Sequence, residues 1–253
     1  MKKTLIALMA LAGVATGATT TTEWSFDNTL SSTGGVEATG TWVAGQNGNA
    51  AATYGTDTTY GTYLILDNAG YVKVSNTYWS TGDGKLQLGS ADTSFTISAV
   101  VSFDAIPAAG SQVFILGTSN NHDEGFAFTL DGGKLGITAK SVAHHTLSSM
   151  DALSANTWYT LSVTYDASTN EADFSVNGTS VGTYTVPADA GFDPAEANTG
   201  LAIGSASTGQ TQGLWSGKIA SLSITTTAPI PEPTTATLSL LALAGLAARR
   251  RRH

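Results

Sequence analysis

The sequence predicts an all-β protein, a two-sheet antiparallel jelly-roll sandwich. Three observations predict it. Apolar residues recur at every second position in short runs between residues 23 and 226, turn chemistry separates those runs, and no stretch there sustains a 3.6-residue pattern. The first run is Glu23-Trp24-Ser25-Phe26-Asp27, read as an opening strand, followed by runs at 63–66 and 71–75. The clearest alternation follows, with Phe95, Ile97, Ala99, Val101 and Phe103 facing one way and Thr96, Ser98 and Ser102 the other, as a half-buried antiparallel strand requires. Further runs at 112–116, 126–130, 135–139, 157–165, 172–176 and 218–225 bring the runs to ten, in keeping with the about a dozen strands of two sheets packed face to face. Asp131-Gly132-Gly133 and Asn177-Gly178 are tight-hairpin turns, because Gly and Asn tolerate the positive φ that such turns need.

Length and composition narrow the function classes. The chain has 253 residues, with 42% hydrophobic and 12% charged, which suits one sizeable core and excludes a disordered chain. It has no cysteine, so disulfides, thiolate metal sites and cysteine nucleophiles are all ruled out. Of its 11 basic residues, Lys2, Lys3 and Arg249, Arg250, Arg251 and Arg252 lie at the ends. The body keeps five lysines, Lys73, Lys85, Lys134, Lys140 and Lys218, against most of the 19 acidic residues, a balance that repels nucleic acid. With no arginine in the body, bidentate recognition of sulfate or carboxylate is not available there.

The two ends read as addresses. Lys2 and Lys3, an apolar run at 5–14 and the small residues Ala15-Thr16-Gly17-Ala18 form the pattern of a secretory signal over residues 1–18. At the other end a spacer from residue 227 leads to Pro231-Glu232-Pro233, a mostly apolar stretch at 234–248 and Arg249-Arg250-Arg251-Arg252. Fifteen residues make about 22 Å of helix, short of a ~30 Å hydrocarbon core, but four arginines would hold its end on the cytoplasmic side. The three parts in that order resemble the PEP-CTERM sorting signal of Gram-negative bacteria. That resemblance implies recognition by a membrane exosortase and the secretion machinery. It also implies membrane contact through the C-terminal segment before processing, and delivery to the outer surface or extracellular matrix. The organisation expected is a signal peptide at 1–18, one domain at 19–226, and a linker with sorting signal at 227–253.

The body carries a second resemblance. Tyr71-Val72-Lys73-Val74, the strand from Phe95 to Val101, Gly125-Phe126-Ala127-Phe128, Asn156-Thr157-Trp158 with the strand to Asp166, Phe174-Ser175-Val176-Asn177-Gly178, Leu201-Ala202-Ile203-Gly204 and Gly217-Lys218-Ile219 come in one order. They are similar to the laminin G-like members of the concanavalin A-like lectin and glucanase superfamily. That family often has an acidic residue after Gly-x-Ile, where this chain has Ala220 and Ser221, a departure that bears on the family's metal site.

Glycosidases of that superfamily work with paired carboxylates on one strand, and Glu171 and Asp173 have the spacing that puts two on one face. Ser175 and Val176 stand where the acid/base glutamate would fall, so Glu171 and Asp173 read as solvent-facing residues of a hairpin and no enzyme is expected. Adjacent His144 and His145 point to opposite faces of a strand and cannot share a metal. The densest oxygen-ligand set is the loop with Asn120, Asn121, Asp123 and Glu124 around His122, which would suit calcium if it is more than a solvated turn. Neither a Gly-x-Ser-x-Gly elbow nor a phosphate loop occurs.

Aromatic residues remain as binding candidates. Trp24 and Trp158 lie within apolar strands and are expected in the core. Trp42, Tyr54, Tyr60, Tyr78, Trp79 and Trp215 lie in polar, Gly-rich contexts, where each is either a loop anchor or a platform for the apolar face of a sugar ring. The function expected is a secreted, surface-sorted, non-catalytic carbohydrate-binding or adhesion module with extracellular glycan as partner. The alternatives are a structural matrix or envelope protein and, more distantly, a glycoside hydrolase.

Overall fold

The computed structural model describes residues 19–35, 38–44, 51–68, 70–74, 93–118, 126–139, 142–187, 201–206 and 213–227. All belong to one compact unit, Thr19–Ala228. The expected signal peptide, the C-terminal helix and sorting motif, Tyr78, Trp79 and the loop with Asn120, Asn121, Asp123 and Glu124 lie outside the described residues. Among the described residues there is no helix, and none long and apolar enough to cross a membrane.

Among the described residues, sixteen strands form two antiparallel sheets. The first sheet is built from β1 (Thr19–Trp24), β2 (Thr33–Gly34), β4 (Thr53–Asp57), β5 (Gly61–Asp67), β7 (Ser94–Phe103), β12 (Trp158–Asp166), β13 (Glu171–Val176), β14 (Thr179–Thr185) and β16 (Ser216–Thr227). Its order is β14-β13-β12-β7-β16-β1-β2, and β5 pairs with β16 while β4 pairs with β5. The second sheet is built from β3 (Gly40–Ala44), β6 (Gly70–Val74), β8 (Gln112–Gly117), β9 (Ala127–Asp131), β10 (Lys134–Ala139), β11 (Val142–Thr146) and β15 (Ala202–Ile203). Its order is β11-β10-β9-β8-β15-β6-β3.

β16 is the organising strand. It pairs with β7 along its whole length, while its other edge is shared: Ser216 to Ile219 take β5, and Leu222 to Thr227 take β1. The register shifts between Ile219 and Ser221, so Ala220 forms the bulge that separates the two partners.

The core lies between the sheets. Phe95, Ile97, Ala99, Val101 and Phe103 of β7 face it, as the alternation predicts, and meet Leu161, Val163 and Tyr165 of β12 and Ile219, Leu222 and Ile224 of β16. Full burial of each large apolar side chain contributes roughly 1.5–3 kcal/mol, which is what fixes register: a one-residue slip would expose the whole set. Phe95 and Phe126 pack edge to face at 5.1 Å across the interior.

Both predicted hairpin turns form. Gly132 and Gly133 have φ of 56° and 79° between β9 and β10, and Asn177 and Gly178 have φ of 51° and 78° between β13 and β14. The opening strand ends earlier than predicted. It stops at Trp24, because Phe26 and Asn28 take φ of 50° and 54°, left-handed values that no strand continues through.

Candidate functional site

The site is assembled on the outer face of the first sheet. In β12, Leu161, Val163 and Tyr165 point inward, so Trp158 shares the outward parity of Thr160, Ser162 and Thr164. Trp158 is therefore only partly buried and stands outside the core cluster, which corrects the expectation that it lies in the core. Its cross-strand neighbours are Ser102 of β7 and, beyond it, Lys218 of β16.

The β4–β5 hairpin lays two more rings beside the indole. Asp57 pairs with Gly61, leaving a three-residue loop, Thr58-Thr59-Tyr60, and Gly61 takes φ of 74° to close it. One carboxylate oxygen of Asp57 accepts the backbone N–H of Thr59 at 2.8 Å and of Tyr60 at 3.0 Å, so the loop is locked by an Asx turn. Tyr60 then stacks on Trp158 with ring centroids 4.8 Å apart and planes 29° apart, and Tyr63 meets the same indole edge-on at 5.7 Å. Lys218 Nζ stands 5.8 Å from the centre of the Tyr63 ring, within cation–π range. Gly55 lies under the hydroxyl end of Tyr63: a Cβ there would clash with the Cζ, Oη and Cε2 atoms of the phenol.

The electrostatics tie these groups together. The N–H groups of Thr59 and Tyr60 hold the Asp57 carboxyl below the usual carboxylate range. The nearby indole N–H of Trp158 and the Lys218 charge add smaller contributions in the same direction. Tyr60 is 41% exposed and is the one large hydrophobic side chain open to solvent among the described residues. The result is a fixed aromatic platform with a carboxylate and an ammonium at its margin, suited to a ring that has an apolar face and hydroxyl edges.

Further along the same strands the sheet carries a field of hydroxyls. Thr21, Thr225, Thr96, Thr164, Asp173 and Thr183 form one row across six strands. Thr21 and Thr225 bond at 2.9 Å, and Thr96 and Thr164 at 3.1 Å. In the adjacent row Ser162 and Ser175 bond at 2.6 Å. Glu171 lies exposed at the end of β13, and Asp173 accepts a hydrogen bond from Ser180.

The other aromatic candidates are placed elsewhere. Trp215 is a correction: it is only 5% exposed, donates its Nε1–H to the Phe114 carbonyl at 2.9 Å, and packs against Phe103 at 4.6 Å. Trp42 and Tyr54 are half-buried on β3 and β4 and pack against the main core, and burial pushes the Tyr54 phenol up. Thus the structure brings Tyr60 together with Trp158 and Tyr63, two residues the sequence reading did not choose. The signal for Trp158 was present in the parity of its own strand. His145 of β11 stacks on Tyr184 of β14 at 3.6 Å.

This geometry coincides with a family. The laminin G profile of the concanavalin A-like lectin/glucanases superfamily matches residues 66–232, and the chain belongs to that family. No curated protein sequence matches the chain. Among solved structures, the chain is similar to domain 4 of AbnA, a GH43 extracellular arabinanase from Geobacillus stearothermophilus solved in complex with arabinotriose. That match has 17% identity and a TM-score of 0.59, and covers 87% of this chain and 98% of that one. It is also similar to the binding domain of botulinum neurotoxin DC in complex with SialylT, at 12% identity and a TM-score of 0.52, covering 88% of this chain and 50% of that one. This chain therefore spans half of the toxin domain. At these identities the likeness is one of fold.

Proposed function

We propose that the protein is a non-catalytic carbohydrate-binding module, secreted and sorted to the cell surface or extracellular matrix, whose glycan lies on the platform of Tyr60, Trp158 and Tyr63. The observation that carries this reading is the exposed Tyr60 ring, fixed on Trp158 by a loop whose backbone Asp57 locks. A solvent-facing aromatic stack costs hydration and gains nothing for the core, so its retention in a fixed geometry suits a ligand face. The neighbouring arabinanase domain and toxin binding domain, each solved with a sugar ligand, support the same class. The non-catalytic part rests on Glu171 and Asp173, which lie on a hairpin strand with Asp173 engaged by Ser180 and no partner glutamate beside them in sequence.

The address belongs to the same proposal. Residues 1–18 direct secretion, and Pro231-Glu232-Pro233 with the apolar stretch and terminal arginines engage an exosortase of a Gram-negative envelope. Calcium would be held, if anywhere, by the loop of Asn120, Asn121, Asp123 and Glu124.

The test is a glycan array probed with the secreted protein, with calcium and with chelator. Saturable binding that Tyr60→Ala and Trp158→Ala each remove, with folding intact, supports the reading. Loss with chelator assigns the calcium loop. A clean negative in both conditions, with self-association of the protein, gives the structural matrix role instead.

A further inference from the structure

A cavity of about 390 Å³ opens where residues 147–154 pass over β12, β13 and β14, lined by Ser149, Met150, Asp151, Leu153, Val176 and Val181 together with Ala152 and Tyr159. Tyr159 has the opposite parity to Trp158 on β12, so this cavity lies on the other face of the sheet from the platform. We propose that it is a second binding subsite, taking a single neutral sugar ring.

Its wall is preformed. The covering segment is tied down by Leu147 N–H to the Leu135 carbonyl at 2.9 Å, Lys134 Nζ to the Ser148 carbonyl at 2.7 Å and Leu135 N–H to Met150 Sδ at 3.4 Å. Further along, Leu153 N–H bonds the Gly133 carbonyl at 2.8 Å, and Ser154 N–H bonds Tyr159 Oη at 3.0 Å. A wall held at five points needs little ordering when a ligand enters. The volume sits at the small end of the about 300–1,000 Å³ typical of ligand pockets, which suits one ring rather than a chain.

The lining selects the chemistry. Met150, Leu153, Val176 and Val181 give an apolar floor against which the C–H face of a sugar packs. Tyr159 accepts from Ser154 and keeps its own O–H to donate, while Ser149 and Asp151 stand exposed at the rim as donor and acceptor. A wholly apolar guest would cover these polar groups without pairing them. An anionic guest would meet the Asp151 carboxylate with no basic side chain among the lining residues, since Lys134 is engaged by Ser148. A neutral polyol ring satisfies both surfaces.

Met150 supplies the reporter, because its side chain lines the cavity and the chain has only three methionines to resolve. With the full chain labelled at its methionine methyls, titration with methyl glucopyranoside and methyl arabinofuranoside moves the Met150 resonance saturably, with Kd on the order of 1 mM for so small a ligand. Glucuronate leaves it unmoved. Val181→Trp fills the cavity and abolishes the shift, and Tyr159→Phe, which removes one hydroxyl, weakens binding about five- to tenfold. Trp158→Ala leaves the titration unchanged, so failure of the platform and failure of the cavity are read separately. A Met150 signal that stays still through tens of millimolar of both glycosides overturns the proposal. So does an equal response to glucuronate, or a wild-type titration in both Val181→Trp and Tyr159→Phe.

Discussion

Tyr60 stacks on Trp158 with ring centroids 4.8 Å apart, and the Asp57 carboxylate stands near enough to that indole to be lowered in pKa by it. The same carboxylate caps the loop that carries Tyr60. Protonating it therefore loosens the loop, and with it the stack of Tyr60 on Trp158. Because the folded-state pKa of Asp57 is depressed, its contribution is present above the ordinary carboxylate value and is lost as pH falls through the lower folded one. Near-ultraviolet circular dichroism of the platform should be flat from neutrality down to about pH 4 and decline below it. Asp57→Asn keeps the Asx turn but removes the charge, and should flatten that decline. An identical acid limb in the variant would show that Asp57 does not govern the platform.

Gly55 and Tyr63 make a second, separable dependence. Tyr63 lies over the bare backbone of Gly55, its cross-strand partner. Gly55→Ala forces the ring aside and should cost about 1–3 kcal/mol, as overpacking does, while weakening any ligand held on the platform. In a Tyr63→Ala background the same substitution should be nearly neutral, since the clash has gone and Ala is less costly than Gly in a strand. Urea unfolding of the four proteins gives the coupling directly.

The β13–β14 turn has both its residues in the left-handed region, and Asn177 also bonds β12. Its N–H donates to the Thr160 carbonyl at 2.7 Å, and its Oδ1 accepts the Thr160 N–H at 2.9 Å. Asn177→Ala loses the side-chain bond and places a residue with a Cβ penalty at φ of 51°, for a combined loss of about 2–3 kcal/mol. Asn177→Asp retains the acceptor and should lose about 1 kcal/mol or less, while Asn177→Gly relieves only the backbone and should fall between. Thermal unfolding should give losses that fall from Ala through Gly to Asp.

Much of the first sheet was legible because its strands are one-sided: apolar residues at every second position of β7, β12 and β16 declare the core face unaided. Strands β2, β3, β4 and β14 were not read from the sequence because Thr and Gly dominate them. In β4 and β6 the glycines serve packing, since Gly55 makes room for Tyr63 and Gly70 for Trp42. The candidate site was half legible. Tyr60 was chosen for its polar context, and context misled at Trp215, whose glycine neighbours at 213 and 217 leave space for packing against Phe114 and Trp215 itself. At Trp158 the parity of the strand was the better guide than its apolar company. What no single strand contains is the approach of the β4–β5 loop to β12, which depends on β5 and β7 taking opposite edges of β16.

The buried tryptophans Trp24 and Trp215 differ in one hydrogen bond, and that difference predicts unequal responses to the same substitution. Trp24 is fully buried and its Nε1–H has no partner among the described residues, whereas Trp215 donates to the Phe114 carbonyl. Replacing either by Phe removes a comparable apolar area and leaves a small cavity. At Trp24 the substitution also removes an unsatisfied buried donor, which offsets part of the loss. At Trp215 it breaks a formed bond and strands a buried carbonyl, which adds to it. Trp215→Phe should therefore be more destabilising than Trp24→Phe by about 1–3 kcal/mol, a gap that chemical denaturation resolves. Equal losses would mean that the Trp215 hydrogen bond contributes nothing beyond packing.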